Sequence, residues 1–175
     1  MTLSEVHKLA EEYATRYNPD RVTPFPYENI TAVCPDLQIY FVELHEEDVS
    51  GATMYNQEEG FSVIVNAKKS ENRQHFTLAH ELGHYFLHQD ILQKESGLID
   101  GDDLLDGSKI LYRLDQAEAS RIEKEANHFA ASLLMPAALV SEAWDITKDI
   151  EKCAKLFKVS TVAMSIRLTE LGLVD

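Results

Sequence analysis

Between His75 and His88 the chain reads HFTLAHELGHYFLH, and this stretch narrows the possible folds more than any other part of the sequence. Most of its residues are apolar, so it belongs in a core. His80 and His84 stand four apart, and Glu81 directly follows the first. On a helix, positions i and i+4 lie on one face, about one turn apart. Two imidazoles so placed can reach one metal ion from the same side. Glu81 is rotated toward the flank of that pair, where it can hold a water instead of a ligand position. The HExxH pattern, HELGH here, suits zinc with an open coordination position. The alternative is a core helix whose histidines happen to share a face.

A catalytic zinc needs a third protein ligand, and the candidates lie in RIEKEANHF, residues 121–129. The apolar stripe of that segment runs through Ala119, Ile122, Ala126, Phe129, Ala130 and Leu133. Glu123 falls at one edge of the stripe, beside Asn127, Ala130 and Leu134. Glu125 falls on the other side, where Arg121, one turn earlier, offers a surface ion pair. A carboxylate among small apolar residues is desolvated, and a cation compensates that cost. This argument favours Glu123 over Glu125 as third ligand. Asn127, one turn after Glu123, is placed to accept the second ring N–H of a ligating histidine.

The rest of the chain sets limits. At 175 residues one domain is expected, spanning 1–175, with a core at about 36–136 and a helical tail over 137–175. The net charge of -14 repels phosphate backbones, and no basic run offsets it, so direct nucleic-acid binding is not expected. Cys34 and Cys153 form no CxxC and suit a reducing compartment. No segment has the apolar length of a membrane span, and the amphipathic N-terminus is unlike a signal peptide. A soluble, cytoplasmic protein is the expectation.

Periodicity predicts a helix over Leu3–Tyr17, strands at LQIYFVEL and FSVIVNA, a third strand at GATMYN, and a helix through the opening motif capped by Ser70 or Asn72. The pattern breaks from Gln89 to about Leu114, an acidic loop whose Asp spacing is not that of a calcium loop. Asp115 and Glu118 suit a capping box for the next long helix, which Pro136 stops. Short helices follow, one through Trp144, one through Ala154 and Phe157, and one after Ser160. His75 reads as structural; His7 and His45 read as surface residues. Gly83, between the two histidines, suggests close approach by a strand or another helix.

FTLAHELGHYFLH and EKEANHFAASLLMP, in that order and separation, resemble the two signatures of the ImmA/IrrE metallopeptidases. The resemblance is clearest from FSVIVNA to Pro136. It implies an α+β, zincin-like (gluzincin-type) fold, with a small sheet packed on the HExxH helix and on a second ligand-bearing helix. It implies zinc held by His80, His84 and Glu123, with Glu81 as general base. The family's second signature, ExxAN, falls on Glu123, Ala126 and Asn127. Its members act as cytoplasmic proteases, some of them cutting helix-turn-helix repressors of phages and mobile elements. A second electrophile is common in zincins, and Tyr112, Arg113 and His128 are candidates. His88 continues the i+4 series, but a fourth protein ligand would close the site, and the family has a histidine here without a ligand role.

Two other readings stand beside this one. The tail 149–175 resembles a helix-turn-helix, yet its second helix carries only Arg167 against Glu170 and Asp175, which suits a binding module for protein better than one for DNA. Such a module would sequester a repressor without cutting it. A purely structural zinc site has no use for a carboxylate beside the metal, so Glu81 argues against it.

Overall fold

The computed structural model describes residues 1–45, 49–96 and 116–174. The first helix, α1, spans Leu3–Tyr17 and opens with a capping box between Thr2 and Glu5. A short helix, α2 (Glu28–Thr31), follows a proline-containing connection. Three strands follow: β1 (Leu37–Val42), β2 (Gly51–Asn56) and β3 (Gly60–Asn66). They form one sheet in the order β1-β3-β2, with β1 parallel and β2 antiparallel to the central β3. GATMYN is therefore a strand, and it lies at an edge.

The histidine-bearing helix, α3, runs over Glu71–Leu87. Ser70 occupies its N-cap position without a side-chain cap bond; Asn72 instead donates to the Val159 carbonyl at 3.2 Å. The expected loop does not begin at Gln89: α4 spans Gln89–Ser96. Its Ile91 and Leu92, one turn from His88, bring apolar side chains back toward the site. The rest of the expected loop and the expected cap at Asp115 lie outside the described residues. The second motif forms α5, Gln116–Leu134. Pro136 ends that region and opens α6 (Ala137–Thr147), followed by α7 (Ile150–Phe157) and α8 (Thr161–Glu170). Ser160 caps α8 through the Ala163 N–H, as its place in the sequence suggests.

The buried cluster joins the sheet to α3 and α5 through Val63, Leu78, Leu82, Phe129 and Leu133, all at most 2% exposed. Burying a side chain such as Phe129 is worth about 2–3 kcal/mol. Val6 and Ala10 of α1 and Met164 and Leu168 of α8 belong to the same cluster. Arg167, the basic residue of the tail, is buried there; its guanidinium donates to the Met135 carbonyl at 3.0 Å and to Glu11 at 2.8 Å. Its charge is spent inside the fold and is not offered to an outside polyanion. Among the described residues, no single helix is long and apolar enough to cross a membrane.

Two glycines let the elements come close enough to build the site. A Cβ on Gly83 would stand 3.1 Å from the Ala126 Cα and carbonyl oxygen, so α3 and α5 touch backbone to backbone there. A Cβ on Gly51 would stand 2.8 Å from the Ile64 carbonyl oxygen and would also strike Thr77, so β2 lies directly against α3.

Candidate metal centre

The close contact at Gly83 sets the register of α3 against α5. His80 and His84, one turn apart on α3, meet Glu123 of α5. The His84 Nε2 lies 3.1 Å from the His80 Nε2 and 3.1 Å from Glu123 Oε1, and His80 Nε2 lies 3.4 Å from Glu123 Oε2. Ligand atoms at about 2.0–2.1 Å from a tetrahedral ion stand roughly 3.3–3.4 Å apart. The two ring nitrogens and the two oxygens of the Glu123 carboxylate thus lie close enough to share one metal ion, and two imidazole nitrogens with one carboxylate are a donor set that suits zinc.

The electrostatics point the same way. Burial alone would lower the His80 pKa, but hydrogen bonding to Glu123 and the charges of Glu81 and Glu123 raise it above its ordinary value. Burial disfavours the Glu123 carboxylate, yet the two imidazoles hold its pKa far below the usual range. A cluster that draws protons onto His80 while keeping Glu123 ionised attracts positive charge. Asn127 Oδ1 lies 3.0 Å from His80 Nδ1. An amide oxygen only accepts, so the ring donates from Nδ1 and a neutral His80 keeps its lone pair on Nε2.

Glu81 is 7% exposed and is not part of the three-donor group. The Thr53 hydroxyl lies 2.7 Å from its Oε2 and 3.0 Å from its carbonyl oxygen. Edge strand β2 therefore holds this carboxylate from the side opposite the helix. These groups line a cleft of about 500 Å³, with β2 along one wall and Phe76, Ile91 and Ile122 among its apolar lining.

The expected contrast between the two glutamates is corrected in one respect. Glu125 is the more buried of the two, at 3% side-chain exposure against 36% for Glu123. Its partners are Arg121 at 3.0 Å, the Met1 ammonium at 3.0 Å and His88 Nε2 at 2.9 Å. Desolvation by neighbouring apolar residues is therefore not what sets Glu123 apart. Glu123 differs in facing the histidine pair. Glu125 makes an enclosed ion pair where a surface one was expected.

The remaining candidates separate cleanly. His88 turns away from the three-donor group; its Nδ1 lies 3.1 Å from the Nδ1 of His84. His128 is not in the cleft; its Nδ1 lies 3.2 Å from the Nε2 of His7, which in turn bonds Ser132. His7 is consequently a partly buried bridge between α1 and α5, not a surface residue. His75 is buried against Tyr27, and His45 is exposed. Tyr112 and Arg113 lie outside the described residues. Arg73 lines the cleft and was not among the expected cations. Its position seven before His80 puts it on the same helical stripe, so the sequence did carry that signal. Thr53 had no such signal, because its role depends on where the sheet edge falls.

An α+β fold that closes a cleft around two histidines and a glutamate, with a further carboxylate beside them, has the layout of a metal-dependent hydrolase. Residues 33–169 match the IrrE N-terminal-like domain, Peptidase_M78, and the chain belongs to that metallopeptidase family. It is 23% identical over 146 residues to Metallopeptidase ImmA of Bacillus subtilis (strain 168), covering 82% of this chain and 77% of that protein. The fold is similar to a solved Mycobacterium tuberculosis transcriptional regulator, with a TM-score of 0.62 at 16% identity. That likeness covers 94% of this chain and 46% of the regulator, so the chain spans about half the regulator's length.

Proposed function

We propose that this protein is a single-domain, zincin-like zinc endopeptidase, with His80, His84 and Glu123 as metal ligands and Glu81 as general base. The observation that carries the reading is the convergence of two imidazole nitrogens and the Glu123 carboxylate, with contacts of 3.1–3.4 Å, beside a separately held glutamate. Membership of a metallopeptidase family supports it.

His80, His84 and Glu123 would hold the zinc, which would supply Lewis acidity at the reacting carbonyl and water. Glu81 takes a proton from the attacking water and passes it to the leaving amine. Thr53 fixes the orientation of that carboxylate, and Asn127 fixes the ring of His80. Among the described residues β2 is an edge strand and lines the cleft, and such an edge suits an extended peptide, which adds to a sheet through main-chain hydrogen bonds. The substrate we assign is a helix-turn-helix repressor of a phage or mobile element, cut in the cytoplasm. That assignment rests on the likeness of the two motifs to the ImmA/IrrE signatures.

The test is N-terminal labelling of a bacterial lysate containing such repressors, treated with zinc-loaded wild type or Glu81→Gln. New termini within a repressor for wild type, and none for the variant, are expected. Equal cleavage by both proteins would refute the mechanism. An intact repressor bound in stoichiometric complex would point to sequestration instead.

A further inference from the structure

His88 and Glu125 have no part in the site as described, yet both are buried and in contact with it. They form a chain leading away from a ligand: His84 Nδ1 to His88 Nδ1 at 3.1 Å, then His88 Nε2 to Glu125 Oε2 at 2.9 Å. Arg121 Nη1 lies 3.0 and 3.1 Å from the two oxygens of Glu125.

We propose that Glu125 and His88 are positioning residues that fix the tautomer and ring orientation of His84, so that its Nε2 lone pair is presented to the metal. This inference rests on the zinc reading above.

Glu125, paired with Arg121, is a carboxylate and can only accept. The nitrogen of His88 that faces it must therefore carry the proton, and that nitrogen is Nε2. A neutral imidazole with its proton on Nε2 is bare at Nδ1. Between two Nδ1 atoms 3.1 Å apart there is room for one proton, and His88 does not supply it. The proton belongs to His84 Nδ1, which leaves His84 Nε2 bare. That atom is the one facing His80 Nε2 and Glu123. Metal-ligating histidines commonly give their second N–H to a carboxylate or carbonyl. Here a second histidine is interposed, carrying the effect of a buried carboxylate across one turn of α3. His80 receives the same service from Asn127, so each ligating ring has its own anchor on α5.

The test measures zinc affinity of the full chain by competition with a chromophoric chelator, beside a long-range proton–nitrogen spectrum of the zinc-loaded wild type. His88→Phe is expected to weaken zinc binding roughly 10- to 100-fold. His88→Asn keeps an acceptor oxygen where the ring Nδ1 stood and should retain most of the affinity. In the spectrum the His88 ring should be neutral with its proton on Nε2. Should His88→Phe fail to fold, the wild-type spectrum still decides the question. A His88 ring protonated at Nδ1, or wild-type affinity in His88→Phe, would overturn the relay alone. No zinc uptake by wild type would bring down the zinc reading and the relay together.

Discussion

The Thr53 hydroxyl rests against the Glu81 carboxylate in a buried setting, so Thr53→Val keeps the shape and removes the bond. Losing a hydrogen bond to a charged group costs about 1.5–3 kcal/mol. If that cost falls on the reacting state, peptide cleavage slows by about 10- to 100-fold. Zinc content should stay at the wild-type level, because Thr53 touches none of the three donors. Turnover measured beside metal content checks this, and unchanged turnover would remove Thr53 from the account. Asn127→Ala should act on the other quantity, weakening zinc affinity about 10-fold or more by freeing the His80 ring. At this scale the sequence was informative wherever a role follows from helical spacing. His80, His84, Glu123 and Asn127 are brought together at positions that the 3.6-residue period suggested. The burial of Glu125 was not legible, because two of its partners, the Met1 ammonium and His88, are remote from it in sequence.

The elements depend on α3 and α5 lying in contact, and Gly83 marks where they touch. Gly83→Ala gains up to about 1 kcal/mol of helix propensity, which offsets the few tenths of an ångström by which Ala126 must yield. A near-neutral change in thermal stability is expected. Gly83→Leu overpacks the contact well beyond that gain; it should cost about 1–3 kcal/mol or more and lower zinc affinity by moving Glu123 away from the histidines. Thermal melts and chelator competition on the two variants check both halves. Local patterns in the sequence foretold α1, the three strands, α3, α5 and the tail helices. They missed α4, because QDILQKES is short and mostly polar, and its helical state depends on Leu92 packing into the core. The order β1-β3-β2 was also beyond a local reading, since nothing in GATMYN says that it is an edge.

Across the whole molecule, buried titratable groups tie stability to pH. His75 is buried against Tyr27, and burial, with the nearby Lys158 charge, lowers its pKa to about 4. Its folded pKa lies below its unfolded value of about 6.5. Its neutral form therefore contributes stability that is full above pH ~6.5 and is lost as pH falls toward ~4, an effect of about 3 kcal/mol. Burial disfavours the Glu125 carboxylate, but His88, the Met1 ammonium and Arg121 hold its pKa down to about 2. Its contribution is present above pH ~4.3 and is lost between there and pH ~2, so the protein should lose stability in two successive acid steps. Urea unfolding of the metal-free protein across this range should show a first step that is smaller in His75→Phe than in wild type, because buried His88, whose pKa burial also lowers to about 4, supplies the remainder. A wild-type curve flat from pH 7 to 4 would contradict it.

The proposed function hangs on one ion that His80, His84 and Glu123 would hold between α3 and α5. Zinc per chain, measured by elemental mass spectrometry on wild type, His84→Ala and Glu123→Ala, tests that directly. The account predicts close to one zinc per wild-type chain and almost none in either variant. Wild type that stays free of zinc after reconstitution, or variants that keep it, would contradict the account.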